Sequence, residues 1–137
     1  MLPKISEVVE VNATADAVWA VMGAPSSISA WHPGIAASPV TDGVRHVQLE
    51  GGGEVLEPVL EHSDADRFYI YGIASGPFAI SGYRSRLAVE DLGGRARVVW
   101  SGEFEADDPA QSDELAGIFG GVYRAGLEGI REHAEKS

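Results

Sequence analysis

Cysteine is absent from the 137 residues, which removes disulfides, thiolate metal sites and a cysteine nucleophile together. Basic residues are scarce: Lys and Arg number 10 against 21 Asp and Glu, a formal charge of −11. A field of that sign repels phosphate backbones and anionic lipid, so neither nucleic acid nor a membrane is expected as a partner. No stretch approaches the apolar run of a membrane span. The first residues, Met1 to Glu7, carry an acid and no apolar segment of signal-peptide length, and the expected location is cytoplasmic. Strong catalytic signatures are missing as well, with no Ser in a G-x-S-x-G elbow, no H-E-x-x-H, no P-loop lysine and no dinucleotide fingerprint. His32, His46, His62 and His133 show no ligand spacing and read as scattered surface residues. No metal and no cofactor are expected. His32 stands apart only because it neighbours Trp31 in a proline-rich loop.

What is present suits one folded domain over residues 1–137. The apolar share is 45% and the charged share 23%, near globular averages, and a chain of this size buries roughly 68% of its unfolded surface. Ile5 to Val11 is valine-rich and reads as a strand. Thr14 is placed to cap a following helix, with Asp16 in the first turn, Val18, Trp19, Val21 and Met22 as its apolar stripe, and Gly23-Ala24-Pro25 as its stop. Residues 25–40 hold three prolines and a serine cluster, which predicts a short helix or ordered loop around Ile28 to Trp31. A period of two then predicts five strands, Val44–Glu50, Glu54–His62, Phe68–Ala74, Ile80–Glu90 and Arg97–Ala106. The breaks between them are short enough for hairpins, so the sheet is an antiparallel meander. Asp108-Pro109-Ala110-Gln111 opens a last, long helix whose apolar face is Leu115, Ile118, Phe119, Val122, Ala125 and Ile130. Five glycines interrupt that helix, which predicts either a close approach or space left for a ligand, and a helix that does not pack flush.

Strand parity sorts the remaining residues. Val55, Glu57 and Val59 share one face of their strand, and Leu56 and Leu60 the other. If the first face is inward, Glu57 is an inward carboxylate that must be paired, hydrated or neutral; if the second is, Glu57 is a solvated acid. Periodicity leaves both open. Tyr69, Tyr71 and Ile73 share a face, as do Ser81, Tyr83, Ser85, Leu87 and Val89. Tyrosines and serines among aliphatics suit a mostly apolar cavity with a few polar handles. Arg84 and Arg86 fall on the opposite face as solvated cations. Gly51-Gly52-Gly53 reads as a mobile hairpin tip.

The chain resembles the START-like helix-grip superfamily (SRPBCC), and within it the polyketide cyclase/dehydrase type. The resemblance spans nearly the whole chain. It rests on the element order and on Trp31-His32-Pro33, Val44-Arg45, the glycine turn followed by Val55-Leu56-Glu57, Asp64 to Tyr71, Gly76-Pro77, Gly82-Tyr83-Arg84 and Val99-Trp100-Ser101 before Phe104. Plant abscisic-acid receptors are similar over the same stretch, with gate and latch loops on Leu49–Glu54 and Ser75–Ile80. Pro33 stands near their hormone-binding lysine and Pro77-Phe78-Ala79 in their latch, so hormone sensing does not carry over. The resemblance implies an α+β helix-grip fold, a seven-stranded curved antiparallel sheet around the long C-terminal helix, with two short helices after the first strand. It implies a cavity for a hydrophobic or aromatic small molecule lined by Trp31, Val47, Leu49, Val55, Glu57, Tyr71, Tyr83, Ser85, Ser101, Phe119 and Tyr123. Glu57 inward is the favoured parity under this resemblance. Glu57 and Tyr83 are then the catalytic candidates of a polyketide cyclase/dehydrase-like lyase or isomerase, the alternative being a carrier or sensor without turnover. A monomer or homodimer is expected.

Overall fold

The computed structural model describes residues 3–136; Met1 and Leu2, which enter the reading of the N-terminus, lie outside the described residues. The chain order is β1 (Lys4–Val11), α1 (Ala15–Met22), α2 (Ile28–Trp31), β2 (Ile35–Ala37), β3 (Val40–Thr41), β4 (Val44–Leu49), β5 (Glu54–Ser63), β6 (Phe68–Gly72), β7 (Ile80–Asp91), β8 (Ala96–Ala106) and α3 (Ser112–Glu135). Seven strands run in the order β1-β8-β7-β6-β5-β4-β2, all antiparallel, and two-residue β3 pairs with β4. The long helix α3 lies against β1 and β8 and meets α1 and α2, which is the helix-grip arrangement. Among the described residues no helix is long and apolar enough to cross a membrane.

Local signals act where they stand. The Thr14 hydroxyl accepts the Ala17 amide at 3.1 Å and starts α1. The Asp108 carboxylate accepts the Ala110 amide at 3.0 Å, capping a 3-10 turn over Pro109–Gln111 that feeds α3. Within residues 25–40, a stretch whose prolines make it a poor strand, Ile35–Ala37 and Val40 nevertheless pair with β4, the latter together with Thr41. Such short segments carry too few residues for a period of two to show. Ile118, expected in the apolar face of α3, is 45% exposed, and the buried stripe runs instead through Leu115, Phe119, Tyr123, Leu127, Ile130 and Ala134. Each such large side chain contributes about 1.5–3 kcal/mol when removed from water.

The glycines of α3 show the close approach that was one of the two reasons expected for them: the helix packs flush over its C-terminal half, though not beside the cavity at Phe119 and Tyr123. A Cβ at Gly126 would stand 2.6 Å from the Trp100 ring and 2.7 Å from the His32 ring, and one at Gly129 would overlap the Trp31 carbonyl. His32, read as a surface residue, is buried between them. Its Nδ1 accepts the Gly34 amide at 3.0 Å and its Nε2 hydrogen is donated to the Val122 carbonyl at 2.8 Å. Those backbone partners admit one neutral tautomer, since the amide only donates and the carbonyl only accepts.

Alanine should therefore act with opposite signs at two glycines of one helix. Gly129→Ala should destabilise by at least about 1–3 kcal/mol through overpacking. Gly117→Ala, which has open space around its Cβ, should stabilise by about 1 kcal/mol; denaturant midpoints measure both. A pH dependence follows from His32, whose pKa burial pushes below 6.5. Between the folded value and 6.5 the unfolded chain holds a proton that the folded chain lacks. Stability is then complete above that window and falls as pH drops through it. In denaturant melts, His32→Gln should remove this part of the pH slope whatever it does to the midpoint at neutral pH.

Candidate functional site

Arg45 sits on the inward face of β4, opposite Glu57 of β5 in the strand register, and its side chain is fully buried. Its Nε donates to Glu57 Oε1 at 2.7 Å, and Nη1 donates to the Pro25 carbonyl at 2.9 Å and the Tyr69 hydroxyl at 3.0 Å. Nη2 also lies 2.7 Å from Oε1, but out of line for a hydrogen bond, so this contact is electrostatic. The guanidinium carbon stands 4.7 Å from the centre of the Tyr71 ring and 5.5 Å from that of Tyr69. Burial opposes the Arg45 charge, but Tyr69, Glu57 and Tyr71 outweigh it and its pKa is raised. Burial pushes the Glu57 carboxyl above the usual carboxylate range, with Arg45 pulling the other way. Both contacts fall on Oε1, and among the described residues Oε2 accepts no hydrogen bond.

Beside this pair runs a row of hydroxyls. Tyr71 and Tyr83 oxygens are 3.4 Å apart, Tyr83 makes a close contact with Tyr123, and Tyr123 donates to Ser85 Oγ at 3.0 Å. Trp100 Nε1 donates to the Tyr71 oxygen at 3.2 Å and to Ser85 Oγ at 3.0 Å, while its ring stacks on Tyr123 at 4.4 Å between centroids. Gly102 makes this approach possible, since a Cβ there would overlap the Tyr123 hydroxyl. Burial raises the Tyr71 and Tyr83 phenols well above their ordinary value and the Tyr123 phenol to about 12. At neutral pH the three stay protonated and serve as hydrogen-bonding groups, which leaves Glu57 as the one carboxyl among the described residues of the cavity wall.

The cavity between these groups and α3 measures about 70 Å³. That is room for roughly two waters and less than the ~150 Å³ of an apolar cavity that takes benzene, so an aromatic ring enters only if the wall moves. Of the residues expected in it, Val47, Leu49, Val55, Glu57, Tyr71, Tyr83, Phe119 and Tyr123 line it. Three do not. Ser85 lies behind the wall in the hydroxyl row. Trp31 packs edge-on against Trp100 and faces a separate open cleft shared with His32, Glu50 and α3. Ser101 lines a groove on the outer sheet face with Lys4, Arg84 and Arg86, because its neighbour Trp100 takes the inward position on β8; its carbonyl accepts the Ser85 hydroxyl. Ile28, Ile73, Phe78, Trp100 and Val122 complete the wall without having been expected. Trp100 was legible from the alternation Val98, Trp100, Phe104. Phe78 was not, since it lies in an irregular segment and reaches the cavity by packing on Phe119 at 4.9 Å. Leu49 and Phe78 are partly exposed apolar residues of the wall, from β4 and from the segment before β7, and Leu49 leads into Gly51, Gly52 and Gly53, all with positive φ.

An antiparallel sheet curved around one long helix, with a small apolar cavity between them, defines a helix-grip domain. Residues 3–135 match the family described as polyketide cyclase / dehydrase and lipid transport, and the chain belongs to it. The solved protein XoxI from Bacillus cereus is 27% identical, with a TM-score of 0.90 over 95% of this chain and 94% of its own. A START superfamily protein from Mycobacterium smegmatis is 14% identical, with a TM-score of 0.82 over 97% of each chain. The Zhui aromatase/cyclase from a Streptomyces species is 17% identical, with a TM-score of 0.81 over 99% of this chain and 95% of its own; at these identities the last two speak for the fold alone. No curated protein matches in sequence.

The buried pair should respond asymmetrically to its two deletions. Glu57→Gln leaves a guanidinium that cannot shed its charge, at a cost of about 3–5 kcal/mol. Arg45→Met leaves a carboxyl that neutralises by taking a proton, so its cost should shrink as pH falls, which melts of both variants from about pH 8 to pH 5 would reveal.

Proposed function

We propose that this protein binds a hydrophobic small molecule, aromatic or polyketide-like, in the cavity between the sheet and α3, and acts on it as a cyclase, dehydrase or isomerase. One observation carries the reading: a carboxyl with an uncommitted oxygen and a row of neutral phenols, all buried, meet at one otherwise apolar cavity. Glu57 is the group able to take a proton from the ligand and return it, with a pKa that burial brings closer to neutrality. The row of phenols at the wall supplies a donor able to hold an oxygen on which negative charge gathers. The family description supports this class of ligand.

A second reading has its own support. Arg45 accounts for the burial of Glu57 without any chemistry, so the same cavity also suits a carrier or sensor with no turnover. Toluene serves as the first probe. The melting temperature of the wild-type protein should rise with toluene concentration, approaching about 2.7 kcal/mol of added stability at a hundred times Kd. Leu49→Trp or Val47→Trp, which fill the space, should abolish the rise while the domain still melts cooperatively; a wild-type protein that ignores toluene sinks the binding reading. Native mass spectrometry of protein from its source organism would then identify the natural ligand. With it in hand, an enzyme should turn it over, and folded Glu57→Gln should do so roughly 10² to 10⁴ times more slowly, whereas a carrier shows no turnover in either protein.

A further inference from the structure

The hydroxyl row beside the cavity has a direction, and two groups with no freedom of role set it. The indole Nε1–H of Trp100 only donates, and it points at the Tyr71 oxygen, 3.2 Å away, and at Ser85 Oγ, 3.0 Å away. The Ser101 carbonyl only accepts, and it takes the single Ser85 hydroxyl hydrogen at 3.0 Å. Ser85 therefore has nothing left to give to Tyr123, so Tyr123 donates to Ser85 at 3.0 Å. With that hydrogen spent, the close contact between Tyr123 and Tyr83 is made by the Tyr83 hydrogen. Tyr71 ends the row. Its oxygen already receives the Trp100 hydrogen, and its own hydrogen has weak partners: the Tyr83 oxygen lies at 3.4 Å, beyond the usual 2.5–3.0 Å of an O–H···O bond, and the Ser85 and Tyr123 hydroxyls, which interact with it more loosely, are engaged elsewhere in the row.

We propose that Tyr71, and not Tyr83, is the hydroxyl that donates to the bound molecule, and that the ligand presents an uncharged acceptor oxygen, a carbonyl or a phenol, to it. This rests on the ligand-binding reading of the cavity. Tyr83 lines the same wall, but its hydrogen is committed to Tyr123, so a ligand meets it as an acceptor. Trp100, Tyr123 and Ser85 act as positioning residues, which hold the row so that the weakly used hydrogen falls at the cavity. The ligand oxygen is uncharged because Arg45, the cation beneath the cavity, is already matched by Glu57. A carboxylate would enter a buried site with no charge left to balance it.

Acetophenone and α-methylstyrene test this, since they share a shape and differ in carrying C=O or C=CH₂. The quantity read is the ratio of their Kd values, which cancels the common apolar contribution and the common movement of the wall. Tyr71→Phe should weaken the preference for acetophenone about 2- to 10-fold relative to wild type, the worth of one net hydrogen bond. Tyr83→Phe should leave the ratio unchanged. In the wild-type protein the carbonyl ¹³C resonance of bound acetophenone should move downfield, and its methyl protons should show contacts to the Tyr71 ring; this holds the proposal to account even if Tyr71→Phe does not fold. An unchanged ratio in Tyr71→Phe, or a loss confined to Tyr83→Phe, overturns the assignment while leaving the binding reading intact. Failure of both compounds to bind the wild-type protein overturns the binding reading and this inference with it.

Discussion

A guanidinium with no exposed surface needs its charge matched and its hydrogens used, and most of this protein's interior is arranged around that need. Arg45 reaches Glu57 across the β4–β5 register, the Pro25 carbonyl at the turn between α1 and α2, and the Tyr69 hydroxyl on β6. Three separate parts of the chain are thereby referred to one side chain. The pair also explains why a carboxylate is tolerated on an inward face at all. Buried pairs of this kind add little net stability over an apolar filling, but they penalise any register that separates them. A one-residue slip of β5 would turn Glu57 to solvent and leave Arg45 unmatched.

The long helix then divides the interior into two regions of different character. Toward its C-terminal half, Gly126 and Gly129 let Trp31, His32 and Trp100 come into direct contact with the helix backbone, and nothing fits between. Toward its N-terminal half, Phe119 and Tyr123 keep the helix at side-chain distance from the sheet, and the cavity lies there. The same glycine content that signals room for a ligand thus closes one end. Where a space is left is decided by which helical positions carry rings and which carry none.

The chemistry of the cavity wall is one of fixed hydrogens. Burial keeps the phenols of Tyr71, Tyr83 and Tyr123 protonated, and the indole of Trp100 and the Ser101 carbonyl orient them. A donor whose orientation is set before the ligand arrives spends little on reorganisation. Glu57 completes the set, with one oxygen held by Arg45 and the other accepting no hydrogen bond among the described residues. Under the proposed function, polar groups so few, so buried and so oriented would distinguish one small apolar molecule from another by the position of its oxygen rather than by its bulk.

The strands from Val44 onward, the cap at Thr14 and the opening of the last helix were legible in the sequence, because alternation and capping act within a few residues. The parity of β6 and β7 likewise placed Tyr71, Tyr83 and Ser85 on the inward face. The parity of β5 was undecided until β4 brought Arg45 opposite Glu57, since both faces of that strand are mixed. Ser101 was expected inward, but Trp100 beside it takes that side. Trp31 and His32 form a packing junction with α3, which no local pattern announces. Phe78 reaches the cavity from an irregular segment. What the sequence by itself determined is therefore the set of elements and the faces of its most regular strands. The volume of the cavity, the pairing of its one carboxyl and the direction of its hydroxyl row were decided only when distant segments met, because each is a relation between groups far apart in the chain.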